Sequence, residues 1–314
     1  MAVEIRLIKS KKELKEFIWF GINLYKNCKF AAPPLMVDDL MNLTKGTNPA
    51  LDFCPTAYFV ALKEGKIAGR IAAIINPVSN QTWNQKYARF GWIDFVDDYE
   101  VSSALFDAAI HWAKAQGMTS IHGPLGFTDF DHEGLLIEGF DQVGTLATIY
   151  NYAYYPLHFE QCGFNKDIDW NEYLITIPAE FPDKYYRIAD IVSQKYNLTA
   201  KVFKSRKEVV DGYALKIFEL LNTCYSHLYG YTKLTEKQIA FYIKMYFSFF
   251  RLDTISIIVD QKDDVVALGI AMPSFSKALQ KAKGRLFPFG WAYMLRALKK
   301  NDLLDLYLIA VHPE

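Results

Sequence analysis

One order of elements is written twice in this chain, on either side of a Pro-rich, polar stretch from Pro178 to Pro182. Before it, alternation over Val3–Ile8 predicts a strand, and Leu14, Phe17, Ile18, Ile22 and Tyr25 recur at helical spacing over 11–26. Two β-rich runs, Ala57–Leu62 and Ile67–Ile75, flank Lys63-Glu64-Gly65-Lys66 and read as an antiparallel hairpin. A strand over Phe90–Val96, a helix over Val101–Gln116 that Gly117 stops, a strand over 119–123, a short helix over Tyr155–Gln161 and a strand over Glu172–Ile177 complete the first set. The second set is a helix over Asp183–Tyr196, a strand over Leu198–Phe203, helices over 206–228 and 235–250, a hairpin of 254–260 with 265–272, a helix over 290–300 and a strand over Leu303–Val311. A chain that repeats strand, helices, hairpin, helix and strand folds most simply as two related lobes, so domains are expected over 1–178 and 179–314.

Length and composition allow this. At 314 residues and 36.1 kDa the chain exceeds one ordinary core, and 51% hydrophobic residues are enough to offset the entropy of ordering it. Lys+Arg and Asp+Glu both number 35, so no sequence-wide field draws the chain to nucleic acid or to an anionic bilayer. The expectation is therefore no nucleic acid partner and no membrane, since no apolar run approaches the ~18 residues of a span. Cys28, Cys54, Cys162 and Cys224 lie far apart with no metal spacing, and the N-terminus lacks a secretory apolar core. Both point to a cytoplasmic protein without a metal. The breakers Pro33, Pro34, Pro49 and Pro55 limit residues 31–56 to short elements, read as a structured wall or lid.

The segment Asp305-Leu-Tyr-Leu-Ile-Ala-Val-His-Pro-Glu314 resembles the fourth strand of the GNAT acyltransferase superfamily, where a strand ending V-x-P precedes a Q/R-x-x-G-x-G/A loop and a helix. Phe159-Glu-Gln-Cys-Gly-Phe164 resembles that family's Y-x-x-x-G-F ending. With Gly69-Arg70-Ile71-Ala72-Ala73, Gly123-Pro124-Leu125, Gly134-Leu135-Leu136 and Gly284-Arg285-Leu286, the pattern is similar to bacterial GNAT proteins with two lobes. The resemblance implies an α/β (α+β) fold of two tandem lobes, each a mixed, mostly antiparallel sheet flanked by helices, the second incomplete. It implies CoA-dependent transfer of an acyl group to a small-molecule or peptide amine, centred in the C-terminal lobe. Asp305 would then be the general base, and the backbone at Ala310 and Val311 would bind the acyl-CoA arm. The sequence stops where the acetyl-CoA loop would follow, so acetyl-CoA binding by these 314 residues is expected to be weak or absent.

The first lobe departs from the family pattern. Asp97, Glu100 and Ser102 stand where the phosphate loop has Q/R, G and G/A, with Asp98 beside them, and carboxylates repel a diphosphate. Phe159 replaces the proton-bearing tyrosine, so this lobe reads as a structural or substrate-binding copy. Two alternatives stay open: a noncatalytic GNAT-fold binding module, and a peptidyl-transfer enzyme with an aminoacyl-tRNA donor. The second conflicts with the absence of a basic excess and of a coiled-coil arm.

Asp129-Phe-Asp131-His132-Glu133 packs four potential ligands into five residues without EF-hand spacing, which reads as a solvated turn or, if the loop covers a cleft, as a contact for an amine substrate. Glu138 and Asp141 would extend such an acidic mouth. His111, His122, His158, His227 and His312 have no evident Ser or Cys partner and read as structural. The apolar helical run 241–250 reads as packing between lobes, an acyl-chain groove or a homodimer face.

Overall fold

A computed structural model describes residues 2–247 and 250–313. The chain forms two compact units that interleave in sequence: unit 1 takes Met1–Asn165, Tyr229–Thr232 and Pro273–Leu303, and unit 2 takes Lys166–Leu228, Lys233–Met272 and Leu304–Glu314.

Unit 1 begins with β1 (Glu4–Leu7) and α1 (Lys11–Leu24), whose Ser10 and Glu13 close a capping box. The breaker-rich segment yields the short α2 (Met36–Asn42) and one 3₁₀ turn, Pro49–Asp52. The hairpin is β2 (Thr56–Lys63) with β3 (Lys66–Ile74), its tight turn carrying Glu64 and Gly65 in left-handed backbone. Then follow α3 (Pro77–Thr82), β4 (Tyr87–Phe95), α4 (Tyr99–Ala115), β5 (Ser120–His122) and α5 (Tyr155–Gln161). The strands join in the order β1-β2-β3-β4-β5, antiparallel except for the parallel pair β4–β5.

Strand alternation gives this sheet two apolar faces. Phe59, Ile71 and Phe90 bury against Leu105 and Phe106 of α4, whereas Val60, Ala72 and Ile74 bury against Phe17 and Ile18 of α1. A bulge where β4 faces β3 at Arg70/Ala72 breaks the alternation, and Trp92 adopts φ 45° within it. Its ring is thereby turned to the α1 face while Phe90, Ile93 and Phe95 stay on the α4 face.

In unit 2, α6 (Asp183–Tyr196), β6 (Thr199–Ala200), α7 (Arg206–Cys224) and α8 (Glu236–Tyr246) precede β7 (Ile255–Val259) and β8 (Val265–Pro273). Next in the chain are α9 (Ser276–Ala282) and α10 (Gly290–Lys299), both in unit 1, and then β9 (Leu304–Val311). The second sheet has the order β6-β7-β8-β9. A mixed sheet with helices in unit 1 and a smaller sheet in unit 2 match the fold class expected from sequence.

Three expectations need correction. The strand over 172–177 does not form; Tyr173, Leu174 and Ile175 are exposed in irregular backbone. The strand over 198–203 shrinks to two residues. The helix over 235–250 ends at Tyr246, and residues 248–249 lie outside the described residues.

Candidate functional site

The parallel pair β4–β5 holds only over Tyr87–Arg89 with Ser120–His122, after which the strands part. The chain itself fills the opening. Leu125 N donates to Phe90 O at 2.7 Å, and a Cβ at Gly91 would stand 2.6 Å from Leu125 O, so the glycine is what lets the loop approach. Phe127 is fully buried against Trp92, its carbonyl held by Asn76 Nδ2 at 3.0 Å. Asp131 then turns its carboxylate inward, accepting from Phe127 N at 2.7 Å and Thr128 N at 3.2 Å. Gly126 makes room for that side chain.

The inward turn gathers acids. Burial pushes Asp131 up to about 6, against the pull of the Thr128 and Phe127 amides. Burial and then the charge of Asp129 push Glu133 up to about 8, with Arg89 opposing. Asp129, which accepts from Thr232 N at 3.3 Å, is raised by burial against Arg89. From α2, Asp39 accepts from Trp92 Nε1 at 3.2 Å and is raised by burial, and burial beside Asp39 brings Asp38 up to about 6. Among the described residues Asp39 Oδ2 and Glu133 Oε1 are buried without a hydrogen-bond partner.

Cations are fewer than these five carboxyls among the described residues. Arg89 donates to the neutral Gly126 O (3.2 Å), Ser79 Oγ (2.9 Å) and Gly230 O (2.8 Å), keeps its Nε buried without a partner, and its charge favours ionised Asp129 and Glu133. Arg70 is committed to Asp94, at 2.7 Å from both Nε and Nη2. His132 Nε2 contacts Leu146 O at 2.8 Å and weakly favours ionised Asp39 and Asp131. Such a place gains most from an incoming cation that donates hydrogen bonds.

The structure thus brings Asp129, Asp131 and Glu133 together, as part-buried groups and not as a solvated turn. Sequence reasoning missed Asp38 and Asp39, hidden in the Pro-rich segment, and the buried Arg70–Asp94 pair. The signal for that pair was a lone charge inside each of two apolar strands, IAGRIAAI and FGWIDF. Asp94 also accepts from Tyr25 (2.9 Å) and Tyr155 (3.2 Å), a network that leaves it fixed and unable to serve as a free base. Among the described residues no group of three His, Cys, Asp or Glu side chains could hold a metal ion.

At the α4 N-terminus, Asp98 caps Glu100 N, Lys63 pairs with Asp98 and Glu100, and Asp97 meets His158 Nε2 at 3.0 Å. His158 does have a Ser partner, which corrects the sequence reading: Ser102 Oγ lies 2.8 Å from Nδ1. Ser102 is fully buried on α4 and bonds Tyr99 O, so this Ser–His–Asp line braces two helices and gives no substrate access. An acyl-CoA diphosphate does not fit here, where acids occupy the helix N-terminus and the strand opening is closed.

In unit 2, Asp305 is part-buried on β9 near Tyr307, whose hydroxyl is raised by burial and by the Asp305 charge. Ala310 is buried, the Val311 carbonyl is held by Cys224 Sγ at 3.2 Å, and Ile309 O is held by Tyr225 OH at 2.9 Å. The two carbonyls flanking Ala310 thus each accept one side-chain hydrogen bond within unit 2.

No family model matches the sequence. It is 30% identical over 302 residues to Protein YghO of Escherichia coli (strain K12), covering 95% of this chain and 75% of that protein. It is likewise 30% identical over 298 residues to the bacterial ceramide synthase of Caulobacter vibrioides, covering 93% and 75%. Among solved structures, a GCN5-related glucosamine N-acetyltransferase region of a fungal multi-domain GH3 beta-N-acetylglucosaminidase superposes with a TM-score of 0.52 at 13% identity, over 99% of this chain and 32% of that one.

Proposed function

Because this chain belongs to the family of Protein YghO and the bacterial ceramide synthase, with the fold of a GCN5-related N-acetyltransferase region, we propose that it serves acyl transfer to an amine. The acceptor binds at the Asp129–Glu133 loop. One observation carries this reading: five carboxyls with raised pKa values and two buried, unpartnered carboxylate oxygens, where burial outweighs the charges of Arg89 and Arg70. An aliphatic amine is an ammonium ion at neutral pH, and its N–H groups and charge supply what those oxygens lack. Glu133, protonated below about pH 8, ionises as the ammonium docks and releases its proton. The name of the Caulobacter relative points to a long-chain amino alcohol as the class of amine, since a ceramide is the amide of such a base.

Acyl-CoA is the donor class that the fold suggests, and it supplies the activated thioester. Asp305 is proposed as a base, and Ala310 and Val311 as donor contacts, to be probed by substitution; no step is drawn through them. The closed β4–β5 opening favours a second reading, a noncatalytic binding module. Mass spectrometry of amides formed from an acyl-CoA and either a long-chain amino alcohol or an amino sugar separates the two. Asp129→Asn, Asp131→Asn and Glu133→Gln should each lower kcat/KM for the amine by about tenfold, near 1.4 kcal/mol, and leave the thioester dependence unchanged. Unaltered amine kinetics would remove the acceptor site, and no amide from any amine would remove acyl transfer.

A further inference from the structure

Between Asp264 and Asp302 the sequence contains no aspartate or glutamate but seven lysines and arginines, every one of them exposed. Because the whole chain balances at 35 and 35, the rest is left with 28 basic against 35 acidic residues. The zero net charge therefore hides one strongly basic segment, and it falls on α9, α10 and the loop joining them in unit 1.

The same segment exposes large apolar side chains. Phe287 is 72% exposed, Phe289 65%, Trp291 46% and Leu295 50%. Along α10, Trp291, Met294, Leu295 and Leu298 recur at the i, i+3, i+4, i+7 spacing of one helical stripe, while Arg296, Lys299 and Lys300 take the adjoining sector. Helix-end electrostatics accounts for Lys281 in the last turn of α9 and for Arg296 and Lys299 in that of α10, and Lys277 faces Asp302 at 3.8 Å, but neither accounts for Lys283, Arg285 and Lys300 or for three aromatic rings in water. Aromatic residues at the entry, an aliphatic stripe and a rim with an excess of cations are what an interfacial helix presents to a bilayer.

We propose that α10 and the Phe287–Gly290 lead-in form a docking face that lies in the surface of an anionic phospholipid bilayer. Charge complementarity selects that occupant: the rim meets lipid phosphates while the rings and the aliphatic stripe enter the acyl boundary. Single-stranded nucleic acid would use the rings and the cations but would not bury the exposed Leu295 and the part-exposed Met294. No helix among the described residues is long and apolar enough to cross a membrane, so the contact is made at the surface. The proposal is independent of the amine site.

Flotation of the purified chain with vesicles tests it. Phosphatidylcholine containing about 30 mol % phosphatidylglycerol should retain at least ~10-fold more protein than phosphatidylcholine alone at about 0.1 M salt. The triple change Phe287→Ser, Phe289→Ser, Trp291→Ser and, separately, the pair Lys299→Glu, Lys300→Glu should each reduce that retention by about tenfold. Circular dichroism of both variants should match the parent, because all five side chains are exposed. Lack of retention by anionic vesicles, or retention that ignores lipid charge and both variants, would overturn the proposal. So would tighter binding to a single-stranded oligonucleotide, or concentration-dependent self-association that the serine variant abolishes.

Discussion

Glu133 keeps a proton at pH values where an ordinary glutamate, near 4.5, has lost it, because burial and the Asp129 charge raise its carboxyl to about 8. The unfolded chain releases that proton first, so the stability contributed at this position is complete below about pH 4.5 and is lost as pH rises toward 8. Asp131 and Asp38, each raised to about 6, act in the same direction over a lower window. Glu133→Gln should therefore gain up to about 4–5 kcal/mol over the parent at pH 8.5 and almost nothing at pH 4 in urea unfolding. Equal stability at both pH values would contradict the buried-acid account. Asp129, Asp131 and Glu133 were legible as a cluster of chemistry-bearing residues, but their burial was not. Three carboxyls and a histidine among glycines resemble a solvated turn until Gly91 and Gly126 let the loop close inward, and that closure depends on contacts far away in sequence. Asp39 was invisible for the same reason: only the bulge at Trp92 brings an indole N–H to it.

Elements followed hydrophobic period closely where a helix or strand buries one face. The ranges of α1, β2, β3, β4 and α4 all lie within a few residues of the pattern. The pattern failed over 172–177, where a β-rich apolar run finds no neighbouring strand to receive it among the described residues. Apolar, β-prone residues give a strand its propensity but not its partner. At Gly21 two effects compete. Gly21→Ala in mid-α1 gains about 1 kcal/mol of helix propensity, but its Cβ would collide with the Arg70 guanidinium. Displacing that group leaves Asp94 buried with a broken ion pair, worth about 3–5 kcal/mol, so the variant should be net destabilised by about 2 kcal/mol or more. A stabilised variant would show that the pair yields more readily than its geometry implies. At the β4–β5 opening, closure by Leu125 and the acids at the α4 N-terminus predict that acetyl-CoA binds this chain no tighter than about 1 mM, about 4 kcal/mol. Micromolar binding in calorimetry, abolished by Gly91→Ala, would place the donor where the loop now lies.

Across the whole molecule, a balanced charge conceals segregation: acids turned inward around one loop, and seven cations outward on α9, α10 and their connection. Two-lobe organisation was visible in the repeated order of elements. What the order could not show was that 229–232 and 273–303 join the first unit, because that depends on packing and not on succession. Segregated charge also gives the acceptor site a readable signature, since a docking ammonium must displace the proton that Glu133 holds at neutral pH. The decisive measurement is calorimetry of a long-chain amino alcohol binding to the chain at pH 7 in buffers of different ionisation enthalpy. The account predicts release of nearly one proton on binding, absent in Glu133→Gln and joined in Asp131→Asn by affinity weakened about tenfold. Binding without proton release, or release that survives Glu133→Gln, would contradict it.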